Sequence, residues 1–173
     1  MTNVSTIKHW AQREAATYRN GNDDRPLSGY LAAMGVYASA VTGVTLLGRR
    51  LGFRAPAQIT PWDVALLGIA THRVTRTISK DAVVSPVRAP FTTYGGLQGP
   101  AELHEEARTD SHLRHAVGEL LTCPFCLAQW VATGFSAGLV FAPRAARLVA
   151  ATFASIAVSD FLQFGYSAVQ SKE

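Results

Sequence analysis

The sequence predicts an all-α fold: a polytopic membrane helical bundle of about four transmembrane helices, accompanied by amphipathic or interfacial helices. Three observations predict it. Long apolar runs carry almost no charge, and the first of them approaches the ~20 residues a helix needs to cross the hydrocarbon core. The charged residues collect in a few polar blocks between those runs. The last two runs are joined by a very short connection, which implies an antiparallel helical hairpin. The mean hydropathy of the whole chain is only +0.11, so the distribution of apolar residues, not their average, carries this reading.

Residues 1–28 form a polar segment, expected to be cytoplasmic. Lys8, Arg13, Glu14, Arg19, Asp23, Asp24 and Arg25 leave no room there for a cleavable signal, so insertion would rely on an internal apolar segment. Trp10, Ala11 and Ala15 suggest a short amphipathic helix, closed by the turn-like Asn20-Gly21-Asn22-Asp23. Residues 29–173 are expected to form a single membrane domain. Its first span, 30–48, is uncharged, and Gly35, Ser39 and Gly43 recur every fourth residue, a spacing that lets another helix approach. Arg49, Arg50 and Arg54 stop that span, and Pro56 and Pro61 break the chain before the second, 62–79. The second is the weakest by composition, because WDVALLGIA runs into His72, Arg73 and Arg76. An arginine at a helix centre costs about 2.5–3.5 kcal/mol on insertion scales, so these residues must lie near one face or point into the bundle.

A polar loop, 80–122, follows. Pro86, Pro90, Gly95, Gly96, Gly99 and Pro100 predict irregular chain in its first half. From Ala101 to Leu121 the pattern predicts an amphipathic helix, with Leu113, Val117, Leu120 and Leu121 on one face. The third span, 125–142, has Gly134 and Gly138 at close-approach spacing and ends at Pro143 and Arg144. The fourth, 148–169, carries Asp160 as its only charge, with Gln163 nearby. Trp62, Trp130 and Tyr166 read as interfacial anchors.

The formal net charge is +4. The basic residues flank apolar segments and do not gather on a groove-reading face, which excludes a nucleic-acid partner and leaves the lipid bilayer as the expected one. Cytoplasmic loops carry the excess of Lys and Arg. Nine fall in the N-terminal segment, the 80–122 loop and the C-terminal tail, against five in the two opposite connections, which favours both termini in the cytoplasm. At 1.5 Å per residue, Arg73 and Arg76 then lie about 16 and about 21 Å along the second helix, and Asp160 about 18 Å along the fourth. His72, Arg73, Arg76, Asp160 and Gln163 therefore share the cytoplasmic half of the membrane as one intramembrane polar cluster. Such residues pair, face inward and mark functional sites by default. The bland alternative is an Arg–Asp pair that fixes helix packing while Arg76 reaches to the interface.

From Trp62 onward the chain carries THRVTR at 71–76, VVSPVRAPFTTY at 83–94, GELLTCPFC at 118–126 followed by LAQWVATG, and VSDFLQ at 158–163. With this set of motifs it resembles the bacterial integral membrane proteins catalogued as domain of unknown function thirteen-sixty, a group that includes a sporulation-associated protein. The resemblance covers roughly residues 60–170. It implies a multi-span protein of the inner (plasma) membrane and no particular activity.

The two cysteines form one motif, Cys123-Pro124-Phe125-Cys126, at a predicted helix start. Three readings stay open. A helix N-terminus favours thiolate, as dithiol redox enzymes require, but no second cysteine pair, no thioredoxin-like pattern and a reducing compartment all weigh against catalysis. With His112 and His115 the cysteines make a four-ligand series suited to zinc. The plainest reading has both as small apolar residues packing a helix start. His104, Glu105 and Glu106 read as a solvated face. No nucleophile elbow, phosphate loop or zincin motif occurs. The expected function is therefore a non-enzymatic scaffold or partner-binding membrane module, acting through the 80–122 loop on a cytoplasmic protein or as a homo-oligomer. The alternatives are a small transporter or channel built on His72, Arg73, Arg76 and Asp160, and a CxxC-based redox or zinc-stabilised membrane protein.

Overall fold

The structure, a computed structural model, describes residues 4–19, 25–100 and 102–170. Among these are seven α-helices and one small two-stranded sheet. The polar start forms α1, Val4–Arg19; the turn expected at Asn20–Asp23 lies outside the described residues. Helices stand where the four spans were expected: α2 Leu27–Arg50, α3 Pro61–Lys80, α6 Pro124–Phe141 and α7 Pro143–Gln170. Three of them, α2, α6 and α7, are long and apolar enough to cross a membrane; α3, interrupted by His72, Arg73 and Arg76, is not among them.

Helix α3 is the centre of the bundle, packing most extensively on α7 and then on α6. It runs parallel to α7, because Asp63 meets Arg147 near one end and Arg73 meets Asp160 near the other. Helix α2 runs parallel to α6, touching it at Tyr37 and Thr133 and again where Gly48 meets Phe141. The short Ala142–Pro143 link makes α6 and α7 an antiparallel hairpin, with Gly138 against Ala146. The core of this bundle is made mostly of small residues: Ala70, Ala146, Ala150, Ala154 and Ala157 are buried, joined by Leu127 and Leu139 of α6. Many bulky apolar side chains point outward instead, among them Leu31, Met34 and Leu46 on α2 and Phe161, Leu162 and Phe164 on α7. Contiguous exposed apolar surface of this kind needs a nonaqueous neighbour.

The small-residue stripe of α2 is not what brings it to its neighbours. A side chain added at Gly35 or Gly43 meets nothing within 4 Å. The close approach is at Gly29, whose added Cβ would run into the His112 carbonyl oxygen and come within 2.7 Å of the Ala116 Cβ. Glycine is needed there because two helix backbones touch.

The 80–122 loop is an ordered cap, and its secondary structure corrects the expectation. A 3-10 turn, Ala82–Val84, and a short α4, Ser85–Arg88, lead into strands β1, Thr92–Gly99, and β2, Glu102–Ala107, before α5, His112–Thr122. The amphipathic helix thus starts at His112, with Ser111 as its N-cap, and not at Ala101. The strands pair antiparallel, Thr92 opposite Ala107 and Tyr94 opposite Glu105, with an irregularity between Tyr94 and Gly96. Gly96 sits at φ +131, a conformation that side-chain-bearing residues avoid. A bridge between Asp81 and Glu102 ties the hairpin to the end of α3. Gly118 of α5 lies directly under the hairpin, 2.5 Å from its own hypothetical Cβ to the Phe91 carbonyl.

Candidate functional site

The last two turns of α3 carry THRVTR, and the cap folds back over them. The Nη2 of Arg73 donates to Asp81 Oδ2 at 3.2 Å, and its Nε lies 3.1 Å from Asp160 Oδ2 on α7. One helical turn on, Arg76 forks onto Glu102 of β2, its Nε donating to Oε1 at 3.0 Å and its Nη2 reaching both oxygens. The His72 ring stacks over Phe161 at 6.5 Å between centroids. Together with Gln163, these residues line a single cavity of about 620 Å³ between the ends of α3, α7 and the hairpin. All five residues singled out in the sequence for an intramembrane cluster thus border one space. The sequence did not single out Asp81 and Glu102, which bring two more carboxylates to the same cavity.

Beside this cavity lies a second cluster that sequence reasoning missed. Arg88 has no exposed surface. Its Nε and Nη2 donate to the two oxygens of Glu105 at 2.8 and 2.9 Å, and Nη2 also donates to Ser85 Oγ at 3.2 Å. Nη1 donates to the carbonyls of Ile78 at 2.7 Å and Asp81 at 3.1 Å. These bonds match in number the five N–H donors a guanidinium possesses. The Ile78 carbonyl is one of those that the end of α3 leaves without a helical partner, so Arg88 caps α3 with a cation where the helix dipole favours one. Glu105 in turn accepts from Ser85 Oγ at 2.8 Å and Thr92 Oγ1 at 2.9 Å. The Arg88 guanidinium, aided by the Ser85 and Thr92 hydroxyls, holds the Glu105 carboxyl below the usual glutamate range although burial opposes the shift. The expectation of a solvated 104–106 face is corrected at its middle residue. His104 and Glu106 are exposed, but Glu105 is buried, because successive strand residues point to opposite faces. That alternation was the signal available.

Helix α5 is tied to α2 through Glu119, which pairs with Arg25 at 3.0 Å, accepts from the Tyr30 hydroxyl and has His115 Nε2 3.5 Å away. His115 is thereby directed to Glu119 and His112 is exposed at the start of α5. Among the described residues, no three His, Cys, Asp or Glu side chains are grouped to hold a metal ion, so the two histidines do not join the two cysteines. Cys123 is both the C-cap of α5 and the N-cap of α6. Its Sγ accepts the Cys126 backbone N–H at 3.2 Å and lies 2.7 Å from the Cys126 sulfur. The pair marks the joint between cap and bundle. At the far end of the bundle, Thr60 and Asp63 form a reciprocal cap on α3, and Arg147 of α7 donates to Asp63 at 2.8 Å. Of the aromatic anchors, Trp62 and Tyr166 are exposed, while Trp130 packs edge-on against Tyr37 at 5.0 Å.

Arg25, Arg73, Arg76 and Arg88 are each engaged by a carboxylate of the same chain. Comparison with curated proteins and with solved structures yields no match. The family described as "Protein of unknown function (DUF1360)" matches residues 66–166, a stretch that runs from within α3 into α7 and holds Arg73, Arg88, Glu105, the cysteine pair and Asp160, and the chain belongs to that family.

Proposed function

We propose that the protein is a non-enzymatic membrane scaffold that holds its 80–122 cap rigid at one end of a helical bundle for a partner to dock on. The observation that carries this reading is the commitment of Arg88: a fully buried guanidinium spends its donors on Glu105, on Ser85 and on the end of α3. A buried charge with so many partners fixes geometry and leaves nothing over for chemistry. The outward side of the cap presents Val83, Val87, Tyr94 and Leu97, all exposed, on a hairpin whose β1 pairs with β2 and, among the described residues, with no other strand. Unpaired strand edges beside exposed apolar side chains suit protein docking.

The test is site-specific photocrosslinking in intact cells, with the photoreactive residue placed at Tyr94 or Leu97. A discrete protein adduct from these positions, lost when Glu105→Ala loosens the cap, is the expected result. An adduct of twice the chain mass would identify a second copy as the partner. Lipid adducts alone from both positions would remove the proposal.

The cavity supports a second reading, a ligand-binding or transport site built on His72, Arg73, Arg76 and Asp160. Its support is the convergence of these side chains on one space of about 620 Å³. Flux through liposomes containing the purified protein tests it. Flux that survives the combined Arg73→Ala and Asp160→Ala substitutions would dismiss that path.

A further inference from the structure

A second cavity has different chemistry. Helices α2 and α6 touch at two places and leave a groove of about 540 Å³ between them. Its floor is Tyr37, whose hydroxyl lies 2.8 Å from Thr133 Oγ1 and whose ring meets Trp130 edge-on. Its upper end is framed by Phe141, packed at 5.0 Å on Phe53. Between these points the walls are small or slim, Ala40, Val44, Gly134 and Ala137 among them, and a side chain added at Gly134 would meet nothing within 4 Å. From Tyr37 to Arg49 the helix rises about 18 Å. One leaflet of the hydrocarbon core is about half of the ~30 Å total. The groove therefore has the depth of a single acyl chain entering from one interface.

Charge marks that interface. Arg49 lines the mouth of the groove, and Arg50 and Arg54 stand close to it in sequence. Among the described residues none of the three makes an ion pair or a side-chain hydrogen bond, in contrast to Arg25, Arg73, Arg76, Arg88, Arg114 and Arg147. An apolar slot one leaflet deep, with uncommitted guanidinium charge at its mouth, suits the acyl chain and anionic headgroup of a phospholipid. We infer that the α2–α6 groove is an anionic phospholipid site, the acyl chain lying between Tyr37 and Phe141 and the phosphate meeting Arg49. The inference rests on α2 and α6 spanning a bilayer, as the proposed function also does.

Trp130 sits at the groove floor and reports on it. With Trp10→Phe and Trp62→Phe in place, it is the chain's remaining tryptophan. The protein is reconstituted into phosphatidylcholine vesicles and its incorporation established by flotation. The acyl chains of either a phosphatidylglycerol or a phosphatidylcholine fraction are brominated at the same mole fraction. The expected result is severalfold stronger quenching of Trp130 by the brominated phosphatidylglycerol. Arg49→Gln should make the two lipids equal, and Gly134→Leu, which fills the slot, should weaken quenching by both. Equal quenching without Arg49→Gln, or a preference that survives it, overturns the site. So does unchanged quenching in Gly134→Leu. A Trp130 shielded from both lipids overturns it too and assigns the groove to a second copy. Failure to float with vesicles removes the membrane reading itself, and is thereby distinct from failure of the site alone.

Discussion

The guanidinium of Arg88 and the carboxylate of Glu105 face each other through two parallel hydrogen bonds, at 2.8 and 2.9 Å, in a place where Arg88 has no exposed surface. Removing one member of such a pair strands the other without water. Glu105→Ala should therefore cost about 3–5 kcal/mol of cap stability. Glu105→Gln, which keeps an oxygen for Ser85 or Thr92, should cost less. Arg88→Lys should stay costly, because an ammonium cannot serve Glu105, Ser85 and the end of α3 at once. Thermal unfolding in detergent, followed by circular dichroism, ranks the three. A Glu105→Ala variant as stable as the native chain would mean that the cap is not held by this pair.

The same pair makes the cap acid-sensitive. Arg88 holds the folded-state pKa of Glu105 below its ordinary value, so folded protein binds the proton less readily than unfolded chain does. The stabilisation is complete above the unfolded glutamate value, about 4.3, and is lost as pH falls from there through the folded-state value. The Tm of the native protein should thus drop through this acid range. In Glu105→Gln the drop should be shallower and the neutral-pH Tm already lower. Parallel pH profiles of the two proteins would refute the assignment.

Close approach of backbones gives a third prediction. At Gly118 an added Cβ would lie 2.5 Å from the Phe91 carbonyl oxygen and 2.8 Å from the Ala107 Cβ. Neither neighbour is the end of a flexible side chain, so Gly118→Ala should destabilise by about 1–3 kcal/mol through overpacking. Gly29→Ala should act in the same direction at the α2–α5 contact. Gly35→Ala, with open space around it, should leave Tm unchanged or raise it. If Gly35→Ala proves as harmful as Gly118→Ala, then α2 packs through its small-residue stripe, contrary to the structure.

These contrasts show what was legible beforehand. The helices of the bundle could be read because burial in lipid or protein demands long apolar runs, and those runs are visible in one dimension. Gly35, Ser39 and Gly43 misled because four-residue spacing permits close approach without requiring it. The hairpin was hidden because ELHEEA at 102–107 is composed of residues that favour helices, and only pairing with the β-branched and aromatic start of β1 at Thr92-Thr93-Tyr94 overrides that preference. Without the hairpin, Glu105 could not be seen as inward-facing, nor Glu102 as the partner of Arg76. The convergence of Arg73 and Asp160 was legible because both sit on long helices with a countable rise. Their third partner, Asp81, lies just past the end of α3, where helical geometry no longer says which way a side chain turns.

Arg73 holds Asp81 at 3.2 Å and Asp160 at 3.1 Å, one cation serving two anions. This makes the cluster asymmetric under substitution. Asp160→Asn leaves Arg73 paired with Asp81, so Tm should fall only slightly, the more so because Asp160 is partly exposed. Arg73→Met leaves two carboxylates beside one cavity with no cation between them, and like charges at short range repel. Its Tm should fall further, and adding Asp160→Asn to Arg73→Met should restore part of the loss. A double-mutant cycle on this pair should give a coupling of at least about 0.5 kcal/mol, the range for residues in contact. The sign of the outcome bears on function. An Arg73 committed to its own chain belongs to a scaffold that locks α3, α7 and the cap together. Coupling near zero would mean that Arg73 is free to meet a charged ligand in the cavity, and would favour a binding or transport site over the scaffold.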